Sequence, residues 1–263
     1  MQNRDNEELR EKQKQYFFVI RELTGREIKR KYARSHLGIL WSVLNPLLSM
    51  SVMSLIFSTM FKRSIENFPV YYLTGQIIWT LFSTGTNSAM TVLVDNKSLL
   101  LKVKFPKQVF LFSRIYTALV NFGYTCIAYV LILAVFRIKP TIYILLFPID
   151  ILLLLLFTMG MGYMLSVVYV FFADIKYLYS IVLTLWMYLS AVFYPAESLS
   201  VGMQRVLGIN PVYLSITIAR GCVMYGTMPD LVLWVRLTAA ALVCFGAGYF
   251  IFKKQENKIM QHI

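Results

Sequence analysis

The chain has 263 residues, 58% of them apolar and only 15% charged, where soluble domains carry about a quarter charged residues. That balance excludes an ordinary soluble domain and points to a membrane protein. The net charge of +13 would suit nucleic acid, but its placement along the chain argues for orientation in a bilayer and contact with anionic lipid instead.

Residues 1–15 are mixed in charge and nearly all polar, so no signal peptide is expected there, only a mobile lead-in. From Tyr16 onward, Ile20, Leu23, Thr24, Ile28 and Tyr32 fall on one helical stripe, while Arg21, Arg26, Lys29, Arg30, Lys31 and Arg34 take other faces. The pattern predicts an amphipathic helix lying in the cytoplasmic interface, packed on a partner subunit, or both. The stretch KYARSHLGILWSVLNPLL (31–48) then turns from a basic cluster into an apolar run. Trp41 suits the headgroup level, and Pro46 predicts a bend near the start of a first span, 40–61. Asn45, Ser49, Ser51, Ser54 and Ser58 give this span polar spots, suited to lining something or to helix packing.

The second span, 70–94, carries Thr74, Gln76, Thr80, Ser83, Thr84, Thr86, Asn87 and Ser88, so it must be enclosed by other helices or wetted. It ends at Asp95, Asn96, Lys97 and Ser98. LLLKVKFPKQV (99–109) follows, short, cationic and interrupted by Pro106, which reads as a cytoplasmic elbow with a brief helix. A third span covers 115–136. The apolar block from Thr141 to Ala173 is too long for one untilted span. Pro148 suits a first helical turn and Asp150 would sit where the helix dipole favours an anion, giving a fourth span of 148–172 with 141–147 along the outer interface. An ionisable group inside a membrane is a functional suspect, but near a helix start its cost falls and a structural role for Asp150 is favoured. The tight turn ADIKYL (173–178) carries Asp174 and Lys176, and a fifth span runs 177–196. Residues 193–230 then form a long outside segment whose apolar piece, 212–219, is too short to cross and is followed by Arg220, which predicts a re-entrant or interfacial hairpin. The last span, 237–252, becomes long enough when extended back to Leu231, with Arg236 snorkelling outward. Ala240, Cys244 and Gly248 give it a small-residue face for close packing.

The expected fold is therefore all-α and integral to the membrane, with six transmembrane helices, an N-terminal interfacial helix and an outside re-entrant hairpin before the last span. Continuous apolar runs rather than alternation exclude a barrel. With six spans and a cytoplasmic N-terminus, 19 of the 26 Lys and Arg residues fall inside, which assigns both termini to the cytoplasm. The chain divides into a tail and interfacial helix (1–38), a transmembrane domain (39–252) and a C-terminal tail (253–263).

Chemistry is scarce. There is no phosphate-binding loop and no His, Cys or acidic cluster at metal spacing, so no catalytic or metal-ligating residue is assigned. Cys126, Cys222 and Cys244 are scattered, and Gly160 and Gly162 lie inside a span where they serve packing. A membrane-embedded glycosyl- or acyltransferase would have only Asp150, Glu197 and His36 to use, and His36 falls on the opposite side from the other two.

Five stretches together carry a resemblance: REIKRKYARSHLGILWSVLNPLL (26–48), KVKFPKQVF (102–110), FADIKYL (172–178), VFYPAESL (192–199) and INPVYLSITIARGCVMYG (209–226). In order and spacing they resemble the permease subunit of ABC exporters for polysaccharides, the group covering O-antigen, capsule and teichoic acid, from about residue 20 to the end. The resemblance implies a homodimer in the bacterial plasma membrane that engages two cytoplasmic ATPase subunits. ATP and Mg would lie on those partners, with no cofactor on this chain, and the cargo would be a lipid-linked glycan. It further implies coupling to the ATPase through Lys97, Ser98, Leu99, Lys104 and Pro106 and through Asp174 and Lys176. Arg26, Lys29, Arg30 and Tyr32 of the interfacial helix would meet the ATPase and the lipid carrier's headgroup. In such exporters the first and fifth spans line a channel at the dimer interface, for which Phe57, Phe61, Trp186, Tyr188, Phe193 and Tyr194 are the aromatic candidates. A permease of the same architecture for a drug or small lipid is the alternative.

Overall fold

The computed structural model describes residues 2–33, 35–60, 65, 67–102 and 105–262, and all regular structure among them is helical. Ten α-helices follow in order: α1 (Gln2–Tyr32), α2 (Trp41–Met60), α3 (Phe68–Asp95), α4 (Lys97–Leu100), α5 (Gln108–Val135), α6 (Phe147–Phe171), α7 (Ile175–Tyr188), α8 (Val201–Leu207), α9 (Pro211–Ala219) and α10 (Leu231–His262). Phe61 and Lys104 lie outside the described residues, as does Arg34.

The bundle is built around α3, which packs against α2, α5, α6 and α9. Its hydroxyls explain how so polar a helix can be enclosed. Thr74 and Thr86, both fully buried, donate back to the carbonyls of Val70 (2.7 Å) and Phe82 (3.0 Å), and they meet Tyr129 of α5 and Tyr179 of α7, each at 2.7 Å. Each polar group thus finds either its own backbone or a neighbouring helix, the condition for burial in a dry environment.

Helices α6 and α10 form the closest pair, and glycine permits the approach. A Cβ on Gly160 would lie 2.5 Å from the Cys244 carbonyl carbon, and one on Gly248 would lie 2.2 Å from the Gly160 oxygen. The small-residue face expected on the last span meets the glycine of the fourth. Pro148 and Asp150 occupy the first turn of α6 as expected, but Asp150 is fully buried and accepts a hydrogen bond from Ser215 of α9 at 3.0 Å.

Four boundaries differ from the sequence reading. The N-terminal helix begins at Gln2 rather than Tyr16. The expected C-terminal tail, 253–263, instead continues α10 to His262, because Phe252 and Ile259 are buried beside Leu23, Leu93, Leu100 and Phe110. The third span starts at Gln108, which brings Arg114 inside a helix. The fifth is the largest difference. Helix α7 has 14 residues, or about 21 Å of rise, against roughly 30 Å of hydrocarbon. It stops where Asn210 reaches in: the Asn210 amide donates to the Leu189 carbonyl (2.7 Å) and the Ser190 hydroxyl (3.0 Å), and Ala191 then takes a left-handed backbone (φ 48°). Among the described residues five helices are long and apolar enough to cross a membrane. The segment predicted as a hairpin before the last span holds two helical pieces, Val201–Leu207 and Pro211–Tyr225, bent by 92°, the geometry of either a broken span, which would be the sixth, or a re-entrant loop.

Candidate functional site

Two ends of the bundle differ in character. One, the basic end, gathers α1, α4, the start of α5, the α6–α7 turn and the end of α10. The other gathers the starts of α3 and α10 with α8 and α9.

At the basic end α1 is not a free interfacial helix. Leu23 and Thr24 are buried against α5, where Thr24 donates to the Ser113 carbonyl. A chain of charges fixes the dock. Arg26 donates to Asn96 at 2.6 Å, Glu27 pairs with Arg114 at 2.6 Å, and Arg114 pairs with Asp95 at 3.0 Å. Lys107 meets Glu256 at 3.3 Å, and the Phe171 ring stacks edge-on to His262 at 5.0 Å, which ties α5 and α6 to the last turns of α10. The elbow and the 173–176 turn therefore share one end. Of the coupling candidates, Lys97, Ser98, Pro106, Asp174 and Lys176 are exposed, while Leu99 is half-buried. Lys29 and Arg30 are exposed on α1, whereas Arg26 is committed to the elbow and Tyr32 bonds the hydroxyl of Ser42.

Between α2, α3 and α5 a polar cleft of about 450 Å³ opens beside the end of α1. Pro46 contributes in a specific way. It has no N–H, so the carbonyl four residues back, that of Ser42, loses its helical donor; Thr125 of α5 supplies one at 3.5 Å. Lys31 reaches the cleft by donating to Asn121 at 3.2 Å, and Asn45, Ser49, Gln76, Thr80 and Thr84 complete its walls. The polar spots of the first two spans thus converge on one hollow with donors, acceptors and the Trp41 ring. It can hold a hydroxylated or charged group at the level where α1 turns into the bundle.

The aromatic candidates divide. Phe57 packs on Phe193 at 5.7 Å and on Phe68 at 6.2 Å; Tyr188 stands edge-on to Phe193 at 5.7 Å; Tyr194 contacts Phe193 at 5.5 Å and donates to the Tyr188 carbonyl. These four form one cluster, with Tyr188 51% exposed. Trp186 faces elsewhere: its indole donates to Asn210 at 2.9 Å and packs on Phe82 and Phe157 within its own chain.

Residues 19–224 match the ABC-2 type transporter family. The chain belongs to that family. Among curated relatives, this ABC-2 chain is 32% identical over 251 residues to the O-antigen export system permease protein RfbA of Myxococcus xanthus, covering 95% of this chain and 96% of the relative. It is 26% identical over 213 residues to RfbA of Klebsiella pneumoniae, covering 81% and 82%. It is 24% identical over 248 residues to the polysialic acid transport protein KpsM of Escherichia coli, covering 92% and 95%. Two features of the ABC-2 chain escaped the sequence reading. Arg114 was counted only toward orientation, although a charge just inside an apolar helix demands a partner. Asn210 precedes Pro211, the signature of a helix cap followed by a first-turn proline, and the same side chain also ends α7.

Proposed function

We propose that this chain is the membrane permease of an ATP-driven exporter that moves a lipid-linked polysaccharide across the bacterial plasma membrane. The observation that carries it is the near full-length similarity to a protein named as an O-antigen export permease. The second, more distant relative named for polysialic acid points to the same class of cargo. The permease works as a homodimer with two ATPase subunits, which hold ATP and Mg, and both termini are cytoplasmic. The apolar faces exposed on α2 (Leu48, Val52, Leu55) and α7 (Ile181, Leu185, Tyr188) are open to pairing through these helices. The cluster of Phe57, Tyr188, Phe193 and Tyr194 then forms part of a channel wall, where ring faces meet the CH faces of sugars and phenols offer hydrogen bonds. Trp186 supports that wall by holding Asn210.

In this mechanism closure of the ATPases pushes the elbow at 97–106 and the turn at 173–176, shifts α2 against α7, and opens the interface. The polar cleft and the basic end of α1 receive the headgroup of the lipid carrier. Depleting the protein in its native cell tests the reading: lipid-linked glycan should accumulate inside while surface polymer is lost. Normal surface polymer with no trapped glycan would favour a permease for a drug or small lipid. Replacing Asp174 and Lys176 together with alanine should lower export by about tenfold or more, a barrier change of at least about 1.4 kcal/mol, while ATP hydrolysis by the assembled complex continues. Export at the wild-type rate would remove these residues from the coupling path.

A further inference from the structure

At the end of the bundle opposite α1, a second pocket of about 410 Å³ lies between the start of α3, the 195–197 turn, the π-helical turn Arg220–Tyr225 and the start of α10. Its wall includes Arg220, which is only 5% exposed. A guanidinium stays charged in a protein, and burying it without a counter-charge is costly. Yet among the described residues Arg220 has no carboxylate partner. Its Nη2 alone donates, to the carbonyls of Tyr71 (3.3 Å), Ala191 (3.1 Å) and Val192 (2.9 Å), and its carbon sits 3.4 Å from the Tyr71 ring centroid. Among the described residues Nε is buried with no partner and Nη1 has no hydrogen bond. The chain makes room for this residue: a Cβ on Gly75 would lie 2.9 Å from Nη2. One nitrogen of the fork is therefore held by carbonyls, Nε is closed off from solvent, and Nη1 is left for something else.

Three further features fit an anion. Tyr213 and Tyr225 line the pocket, and phenol hydroxyls can donate. The long helices α3 and α10 both begin here, with their positive ends toward this level. Of the two acidic residues on the wall, Asp230 is engaged by the α10 backbone through Val232 at 3.0 Å, and Glu197 is exposed at the rim. We infer that the Arg220 pocket binds an oxyanion, a phosphate or carboxylate, seated on Nη1 of Arg220, with Glu197 moderating its affinity. The site lies apart from the polar cleft and does not depend on the nature of the exported cargo.

The oxyanion could belong to a lipid headgroup or to a soluble or cargo-borne group, and the experiment separates these. The full-length protein in neutral detergent is titrated with inorganic phosphate against chloride at matched ionic strength, following the unfolding midpoint. In parallel, retention of phosphatidylglycerol over an uncharged diacyl glycolipid is read by native mass spectrometry. Wild type, Glu197→Gln, Arg220→Lys and Arg220→Met are compared. Removing the rim carboxylate should tighten the response several-fold, Arg220→Lys should weaken it, and Arg220→Met should abolish it. A phosphate response that follows this order assigns a soluble or cargo-borne anion; a lipid response that follows it, without one to phosphate, assigns the headgroup. Should Arg220→Met fail to fold, Glu197→Gln still decides, because an exposed rim residue is not needed for packing. Responses that are the same in wild type and Glu197→Gln, in both assays, would overturn the proposal.

Discussion

Alanine at Gly248 or Gly160 is expected to strip the protein from the membrane, or to leave a fraction with a sharply lowered unfolding midpoint. The added carbon at Gly248 would sit 2.2 Å from a backbone oxygen, and that at Gly160 would sit 2.5 Å from a backbone carbon. No rotamer change relieves a clash with backbone, so α6 and α10 must separate along their whole contact. Overpacking against side chains costs about 1–3 kcal/mol; a backbone clash belongs at or above the top of that range, a large share of the roughly 5–15 kcal/mol that holds a typical domain together. Gly246 is the internal control. It lies on the same helix with nothing within 4 Å of its would-be Cβ, and alanine there should be neutral or slightly stabilising through helix propensity. Membrane-fraction yield and thermal unfolding of the three variants check this directly, and equal behaviour of Gly246→Ala and Gly248→Ala would contradict the packing described.

The second large effect is expected at Arg114. Its side chain is 9% exposed and bridges Glu27 of α1 to Asp95 at the end of α3. Removing one partner of a buried ion pair leaves the other charge stranded and costs about 3–5 kcal/mol. Here Arg114→Ala leaves Glu27, which is 14% exposed, with only the distant Arg26 at 3.9 Å, a heavier loss than for Asp95, which is 37% exposed. The expected result is local: α1 releases from α5 while the spans remain folded. Limited proteolysis should then cut between α1 and α2 in the variant and not in the wild type, and capture of the ATPase subunits should fall with it. The double variant Glu27→Gln with Arg114→Met, which removes both charges, should recover part of the loss. An unchanged cleavage pattern in Arg114→Ala would show that the apolar contacts of Leu23 suffice.

Much of the fold was legible because the bilayer imposes a simple test on composition. Apolar run length located the long helices, Pro148 marked the first turn of α6, and the shortness of 212–219 with Arg220 behind it marked a segment unlike the straight spans, where the helical pieces are bent by 92°. Polar residues inside α3 announced that it would be enclosed. The site was legible only in part. Exposed Asp174, Lys176, Lys97 and Ser98 stand where a short charged turn suggests, and Arg26 is exposed as helical periodicity placed it, but its bond to Asn96, seventy positions away, was not legible. Trp186 likewise carried every mark of a wall residue until Asn210 claimed its N–H.

What the sequence by itself determined is the membrane class, the helical architecture, the basic end and the family resemblance that the near full-length relatives support. Those follow from hydropathy, charge placement and local motifs, which act over one or two helical turns or one bilayer thickness. Tertiary structure alone decided where α7 ends, why α1 is docked rather than afloat, how the polar residues of α2, α3 and α5 become one cleft, and that Arg220 is buried with most of its fork unmatched. Each of these rests on a partner far away in the chain, and a polar group's fate in a dry interior depends on that partner, which residue type and spacing do not encode.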